Sequence, residues 1–174
     1  MLSLDSNGIS DISFLSGLTG LTRLYLAWNH NIVSLAPLVG LTNLTYLDLG
    51  SNQVSDLAPL AGLVNLQELE LSHNKFSDIS ALASLTDLSK LDLFSNSISD
   101  LSPLAGLTQM TELFVDSNNS IADITPLVNN PGIGAGDNVQ LGNNSLDVAS
   151  DCGNINALKA RGVTVETGLL VCPP

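Results

Sequence analysis

Residues 44–60 read LTYLDLGSNQVSDLAPL, and most of the chain is a variation on this stretch. In it, Leu47 and Leu49 alternate with polar residues and are followed by Asn52. An asparagine recurs in this context at intervals of 22 or 23 residues, and once after 26 residues, at positions Asn7, Asn29, Asn52, Asn74, Asn96, Asn118 and Asn144. Such regular spacing indicates one structural unit that is repeated along the 174 residues.

Each part of the unit predicts a local structure. The alternating leucines predict a short strand with its leucines inside. The asparagine that follows can bond backbone groups exposed at the turn, so the stacked asparagines are expected to form a buried, fully paired ladder. In Ser102-Pro103 and Thr125-Pro126 a capping residue is predicted to precede proline at the start of a short helical turn. One repeat cannot bury its own leucines, which predicts a curved parallel sheet of about seven strands.

The 22-residue unit L-x-x-L-x-L-x-x-N-x-[IV]-x-D-[IL]-x-P-L-x-x-L-T resembles the leucine-rich repeat of bacterial internalins, which is close to the SDS22-like class. The resemblance implies an α/β solenoid: a right-handed horseshoe or arc with a parallel sheet on its concave face and short 3-10 or helical turns on its convex side. About six repeats, the first of them truncated, are expected over residues 1–130, and a degenerate last repeat with a C-terminal cap over residues 131–174. The family implies a bacterial surface or secreted protein that binds other proteins through the concave face.

The predicted cap follows a flexible connector at residues 131–136. A last strand is expected at 139–144, a short amphipathic helix at 155–162 and a closing strand at 163–166. Cys152 and Cys172 can form a disulfide that closes a loop of about 20 residues and stabilises the fold by roughly 3 kcal/mol. Two free buried thiols, or a metal pair without a nearby histidine, are the alternatives. A disulfide would place the protein in the periplasm, at the cell surface or outside the cell.

The polar residues that flank the buried leucines are expected to form three columns on the concave face, with a fourth at its rim before each asparagine. These columns hold the candidate ligand-binding residues, namely Arg23, Tyr25, Trp28, Tyr46, Asp48, Glu68, Glu70, His73, Lys90, Asp92, Phe94, Glu112, Phe114 and Asp116. Five of the seven aromatic residues are among them, in an N-terminal group (Tyr25, Trp28, Tyr46) and a C-terminal pair (Phe94, Phe114). Aromatic residues are enriched at interfaces, whereas the alternative is isolated surface rings that only cover the sheet.

The same face is acidic, because seven carboxylates oppose only Arg23 and Lys90, a net charge of −5. Asp48, Glu70 and Asp92 are expected about 4.8 Å apart on successive strands, where each adjacent pair repels by roughly 1–3 kcal/mol. Lys90, between Glu68 and Glu112 in its column, offsets part of this repulsion. Three interpretations stay open: a basic patch on a protein partner, a calcium ion, or a solvated acidic face. The carboxylates concerned are Asp5, Asp48, Glu68, Glu70, Asp92, Glu112 and Asp116.

A different row of aspartates recurs in nearly every repeat and is therefore assigned to turns or helix starts. Its members are Asp11, Asp56, Asp78, Asp100 and Asp123.

The overall composition narrows the function. The net charge of −12 disfavours nucleic acid and anionic membranes as partners, and no apolar run approaches the roughly 18 residues of a membrane span. The only histidines are His30 and His73, and an open sheet encloses no substrate, so the sequence predicts neither an enzyme nor a cofactor. We expect a monomeric module that binds a protein with a basic or mixed apolar and basic patch. Glycan binding by the aromatic residues, or a structural spacer role in a larger surface protein, are the alternatives.

Overall fold

The computed structural model describes residues 1–173 and contains a single sheet of eight parallel strands, in chain order. The strands are β1 (Leu2–Ser3), β2 (Arg23–Tyr25), β3 (Tyr46–Asp48), β4 (Glu68–Glu70), β5 (Lys90–Asp92), β6 (Glu112–Phe114), β7 (Asn138–Gln140) and β8 (Thr164–Glu166). The sheet has one strand more than predicted for the repeats because the closing strand of the cap, β8, pairs with β7. The predicted α/β solenoid is confirmed.

Short helical turns return the chain from each strand to the next. Five are 3-10 helices, at Ser13–Gly17, Ala36–Leu38, Ala58–Leu60, Ser80–Ser84 and Ser102–Leu104, and they are followed by the α-helices α1 (Thr125–Asn129) and α2 (Val148–Ala160). Leu47, Leu60 and their equivalents are fully buried between the strands and these turns. Burial of one such side chain stabilises the fold by roughly 2 kcal/mol. No helix within residues 1–173 has the length and apolar character needed to cross a membrane.

The asparagines form the predicted ladder, although Asn7 is exposed and two of the others are incompletely paired. Asn74 shows the full pattern: Nδ2 donates to the carbonyls of Leu71 (3.1 Å), Ser72 (3.2 Å) and, in the preceding repeat, Leu49 (2.9 Å). Its Oδ1 accepts from the N–H of Val54 at 2.9 Å. The prediction of a fully paired ladder was wrong for Asn96 and Asn144, whose Oδ1 atoms accept no hydrogen bond within residues 1–173.

Four of the five 3-10 turns, and α1, have an aspartate two residues before the first helical residue that bonds its N–H, in place of the predicted serine or threonine cap. The turn Ala36–Leu38 has Ser34 there, whose Oγ accepts from the N–H of Ala36 at 3.4 Å. Ser102 and Thr125 are themselves the first helical residues, and their N–H groups donate to Oδ1 of Asp100 and of Asp123, both at 2.8 Å. The carboxylate two residues earlier reaches the backbone because an aspartate readily bonds an N–H two positions on. The assignment of the recurring aspartates to helix starts is thereby confirmed.

The cap helix α2 begins seven residues before the predicted start, at Val148 and not at Ile155. Its N-cap is Asp147, whose Oδ1 accepts from the N–H groups of Ala149 (2.7 Å) and Ser150 (2.9 Å). Cys152, within α2, is joined to Cys172 by the predicted disulfide.

Hydrogen bonds hold the connector at residues 131–136 that we expected to be flexible. The Arg161 guanidinium donates to the carbonyls of Val128 (2.8 Å), Asn130 (2.7 Å) and Ile133. Gly132 packs so closely on the backbone of Thr108 that a Cβ atom would lie 2.0 Å from its carbonyl oxygen. The connector therefore packs as part of the cap and continues the solenoid.

Candidate binding surface on the concave face

The strand register brings the predicted columns together on one face. Tyr46 lies beside Arg23 on one side and Glu68 on the other, while Asp48 lies beside Tyr25 and Glu70. The central leucine of each of these strands is fully buried, and the residues that flank it are exposed or half-buried. The candidate residues of the strands therefore share one surface, and their role in binding stays a prediction.

An aromatic cluster with a cation occupies the N-terminal part of this surface. The ring centroids of Tyr25 and Tyr46 are 4.7 Å apart, and the Arg23 guanidinium carbon lies 4.6 Å from the centre of the Tyr46 ring. Arg23 Nε also donates to the Tyr25 hydroxyl at 3.0 Å. Burial, together with the charges of nearby carboxylates, raises the pKa of Tyr46, so its hydroxyl remains a hydrogen-bond donor at neutral pH.

Histidines pair with two of the other aromatic residues. Trp28, which is 57% exposed, has its ring against His30 at 5.8 Å, and Phe94 has its ring against His73 at 4.9 Å. No ring pair within residues 1–173 joins Phe94 to Phe114, which lies in a different column. The predicted groups describe where the aromatic residues lie along the solenoid, and within the N-terminal group Tyr25 and Tyr46 are in ring contact.

The rim residue of every repeat adopts a left-handed backbone, with φ between 54° and 58°. Four of the seven rim residues are serines, whereas Trp28 and His73 are bulky. A left-handed conformation costs roughly 1 kcal/mol or more for a residue other than glycine, and a bulky side chain makes it no easier. The fold therefore does not require these two rings. The rim residues are Ser6, Trp28, Ser51, His73, Ser95, Ser117 and Asn143.

The carboxylates of the second column are partly desolvated. Burial raises the pKa of Asp48, Glu70 and Asp92, and the charges of neighbouring carboxylates raise the pKa of each further. Burial also raises the pKa of Asp116 in the third column. The concave face thus holds negative charge that the protein itself neutralises only in part.

Lys90 provides that partial neutralisation, as predicted. Its Nζ lies 3.2 Å from Oε1 of Glu70 and 3.8 Å from Oε2 of Glu112. The ammonium thus pairs with Glu112 in its own column and also with Glu70 in the neighbouring column, because the long lysine side chain can reach across columns. Burial by itself would lower the pKa of Lys90, but the hydrogen bond and charge of Glu70 and the charges of Glu112 and Glu68 raise it.

A shallow hollow lies between the acidic column and the rim. The small residues Ala27, Gly50 and Ser72 line the third column, and the rings of Trp28 and Phe94 stand beside them. The hollow has a volume of about 460 Å³ and is open to solvent. It is also lined by Tyr46, Asp48, Ser51, Glu70, His73 and Asp92. Within residues 1–173, no group of three or more histidine, cysteine, aspartate or glutamate side chains is arranged to hold a metal ion.

Two residues of this surface were missing from the predicted set. His30, in the insertion of the second repeat, packs against Trp28 and also has a left-handed backbone, with φ 63°. Glu166 pairs in register with Gln140 and extends the second column onto β8. The alternation of Val163 and Val165 around exposed positions was the sequence signal for Glu166, while nothing in the repeat pattern indicates where the insertion directs His30.

Known proteins match both the repeats and the three-dimensional arrangement. The family described as leucine-rich repeats (2 copies) matches residues 42–84, 64–106 and 86–129. Internalin C2 of Listeria monocytogenes is 33% identical, with 98% of this chain and 80% of that one covered and a TM-score of 0.69. The chain belongs to the internalin-like leucine-rich-repeat family.

Other matches extend this result. An internalin of the same species, InlF, is 34% identical over 97% of this internalin-like chain with a TM-score of 0.85, and the chain spans 48% of its length. The plant peptide hormone receptor RGFR1, solved in complex with RGF2, is 21% identical over 98% of this chain and 27% of that one, with a TM-score of 0.68. This last likeness concerns the fold alone. No curated protein matches the chain by sequence.

Proposed function

We propose that this internalin-like chain is a non-catalytic module that binds a protein partner on its concave face, and that the partner presents a basic or mixed apolar and basic patch. One observation carries the proposal: the exposed ring of Trp28, the half-buried rings of Tyr25 and Tyr46 and the under-neutralised carboxylates lie on a single surface. Aromatic residues are typical anchors of protein interfaces. Carboxylates attract and orient a basic partner.

The family gives this proposal further support. RGFR1, which shares the fold, was solved in complex with RGF2, so a leucine-rich-repeat arc can hold a polypeptide ligand. A catalytic role has less support, because His30 and His73 contact the rings of Trp28 and Phe94 on an open surface. We expect the chain to act as a monomer.

The disulfide and the internalin family together support a location outside the reducing cytosol, at the cell surface, in the periplasm or in the extracellular medium. The bridge closes a loop with a sequence separation of 20 residues. We expect the double substitution Cys152→Ser and Cys172→Ser to lower the free energy of unfolding by about 3 kcal/mol. Chemical denaturation of the two proteins measures this difference, and equal midpoints would contradict a stabilising bridge.

A phage-displayed peptide library on the immobilised chain tests the binding role. We expect it to select peptides rich in lysine or arginine. The double variant Trp28→Ser and Tyr46→Ala should weaken their binding at least about 10-fold, as loss of aromatic anchors does. Phe14→Ala is the matched control, since Phe14 is 54% exposed but lies in the first helical turn, away from the concave strands.

The outcomes separate the alternatives. Peptides that bind the wild type and the double variant equally would overturn the proposal. A glycan array run with the same three proteins tests sugar binding, which the paired, half-buried rings of Tyr25 and Tyr46 favour because sugar rings stack on aromatic faces. If the chain binds neither peptides nor glycans, the role of a structural spacer is the alternative that is left.

A further inference from the structure

The hollow of the concave face differs from the rest of that face because small side chains and large rings alternate around it. Ala27, Gly50 and Ser72 occupy the third column on three successive strands, and Phe94 follows on the next. A Cβ atom on Gly50 would already lie 3.3 Å from both Asp48 Oδ1 and Ser72 Oγ. A side chain larger than that of glycine at position 50 would therefore crowd the floor of the hollow, whose volume of about 460 Å³ leaves room for a long side chain from a partner.

The carboxylates on one side of the hollow each have one oxygen already engaged. Asp48 Oδ1 accepts from the N–H of Gly50 at 2.9 Å, and Asp92 Oδ1 accepts from the N–H of Phe94 at 2.8 Å. Glu70 Oε1 pairs with Lys90 at 3.2 Å. The carboxylates of Glu70 and Asp92 also lie within hydrogen-bonding reach of each other, and the side chain of Ser72 reaches Asp92. A donor from outside would therefore share these oxygens with the protein's own groups.

This pattern favours an ammonium over a guanidinium. A guanidinium binds best when it takes both oxygens of one carboxylate, and here one oxygen of each is occupied. An ammonium has three donors on a compact charge, which can address one oxygen from each of three carboxylates. The three carboxylates of the hollow exceed the single positive charge of Lys90 beside them, so charge complementarity also requires a cation.

The rings supply the rest of the site. Trp28 and Tyr46 line the hollow on the side of the first strands, while Phe94 and His73 line the other side. The methylene stem of a lysine can pack on such rings, and its ammonium is attracted by their faces. Serine is the commonest rim residue in the other repeats, so Trp28 and His73 place rings here where the repeat itself does not.

We propose that the hollow receives one lysine side chain of the protein partner, with the ammonium against Asp48, Glu70 and Asp92 and the stem against Trp28 and Tyr46. This inference rests on the proposed function and specifies which chemical group of the partner the hollow binds. The lysine belongs to the partner, since Lys90 is engaged beside the hollow by Glu70 and Glu112.

A titration with Nα-acetyl-lysine methylamide tests the inference directly. The amide resonances of Gly50 and Phe94 are the reporters in NMR spectra of the ¹⁵N-labelled chain, because these N–H groups donate to the carboxylates of the hollow. We expect saturable shifts with a dissociation constant in the millimolar range. The norleucine derivative, which has the stem without the charge, should cause none. The arginine derivative should bind at least about 3-fold more weakly.

Matched variants locate the binding. Asp48→Asn combined with Asp92→Asn should weaken lysine binding at least about 10-fold, while each asparagine keeps the Oδ1 acceptor. Trp28→Ser should weaken it about 3-fold. Asp87→Asn is the charge control, because Asp87 is an exposed carboxylate outside the concave columns that does not line the hollow, and it should change the affinity by less than about 2-fold.

Several results would overturn the inference: no shift at Gly50 and Phe94, equal shifts with norleucine, equal affinity for arginine, or unchanged binding by the double asparagine variant. Failure of the proposed function looks different. Library peptides that bind the concave face without depending on lysine would remove the inference and keep the function. Binding of the lysine derivative without selection of any peptide would keep the lysine site and remove the proposed binding of a protein partner.

Discussion

Aspartates occur on two sides of this solenoid, and on both sides they make the same local hydrogen bond. Asp78, at a helix start, accepts from the N–H two residues later at 2.8 Å, and so does Asp92 on the concave face. The hydrogen bonds from Ser80 lower the pKa of Asp78, whereas burial raises the pKa of Asp92 in spite of its own hydrogen bond. A shared local motif therefore does not determine the electrostatics, because desolvation and neighbouring charges can outweigh it.

The difference also distinguishes the aspartates that support the fold from those that we propose for binding. The convex-side aspartates, defined as Asp11, Asp56, Asp78, Asp100 and Asp123, cap helical turns and stabilise the fold. The concave aspartates Asp48 and Asp92 are held at a cost in stability. Such a cost is expected where a surface is kept ready for a charged ligand, which agrees with the proposed binding role.

Among the substitutions that compare the two faces, the largest expected effect on stability concerns a convex-side aspartate. Asp123→Ala removes the acceptor for the N–H and hydroxyl of Thr125, and loss of a cap of this kind costs about 1 kcal/mol. We expect the melting temperature to fall by about 3 °C. Thermal unfolding followed by circular dichroism measures this change. Asp123→Asn, which keeps the acceptor oxygen, is the control and should lower the melting temperature much less.

A concave aspartate should give the opposite sign. Asp92→Asn keeps the acceptor for the N–H of Phe94 and removes a buried charge that lies near Glu70 and Asp116. We expect the melting temperature at pH 7 to rise by about 2 °C. A fall of similar size would show that the charge of Asp92 stabilises the folded protein. The aspartates of the two faces would then have the same effect on stability.

Changing the pH should separate these two aspartates further. The folded-state pKa of Asp92 is raised above 3.8, so the charged side chain destabilises the fold at neutral pH. This destabilisation is relieved as the pH falls through the raised pKa. The increase in melting temperature caused by Asp92→Asn should therefore become smaller in mildly acidic solution and vanish below about pH 3.8. The folded-state pKa of Asp123 is lowered, so its contribution persists down to that pH and is lost only below it. Melting curves at several pH values distinguish the two profiles.

The smallest expected effect on stability comes from the rim. Trp28→Ser replaces an exposed ring with the residue that four other repeats carry at the same left-handed position. We expect the melting temperature to change by less than about 1 °C, although ligand binding should weaken. A clear loss of stability would assign Trp28 to the structure and remove it from the binding surface.

The repeat pattern predicted the fold and the columns because both follow from one constraint. A slip of one residue in any strand would expose its leucines and bury its polar neighbours, so the positions of Leu47 and Leu69 fix which residues face outward. The cap was harder to predict, since α2 lies outside the repeat and its start depends on Asp147 alone. The repeat pattern also could not predict the ring partners of Trp28 and Phe94, because it specifies the position of a side chain and not its direction.

The sequence by itself determined the solenoid, the strand register and most of the residues on the concave face, because the buried leucines leave only one way to stack the repeats. Only the tertiary structure decided that Lys90 reaches Glu70, that His73 meets Phe94, and that Ala27, Gly50 and Ser72 leave a hollow beside the acids. Side-chain directions depend on packing between strands, and contacts of that kind are not encoded at any single position of the repeat.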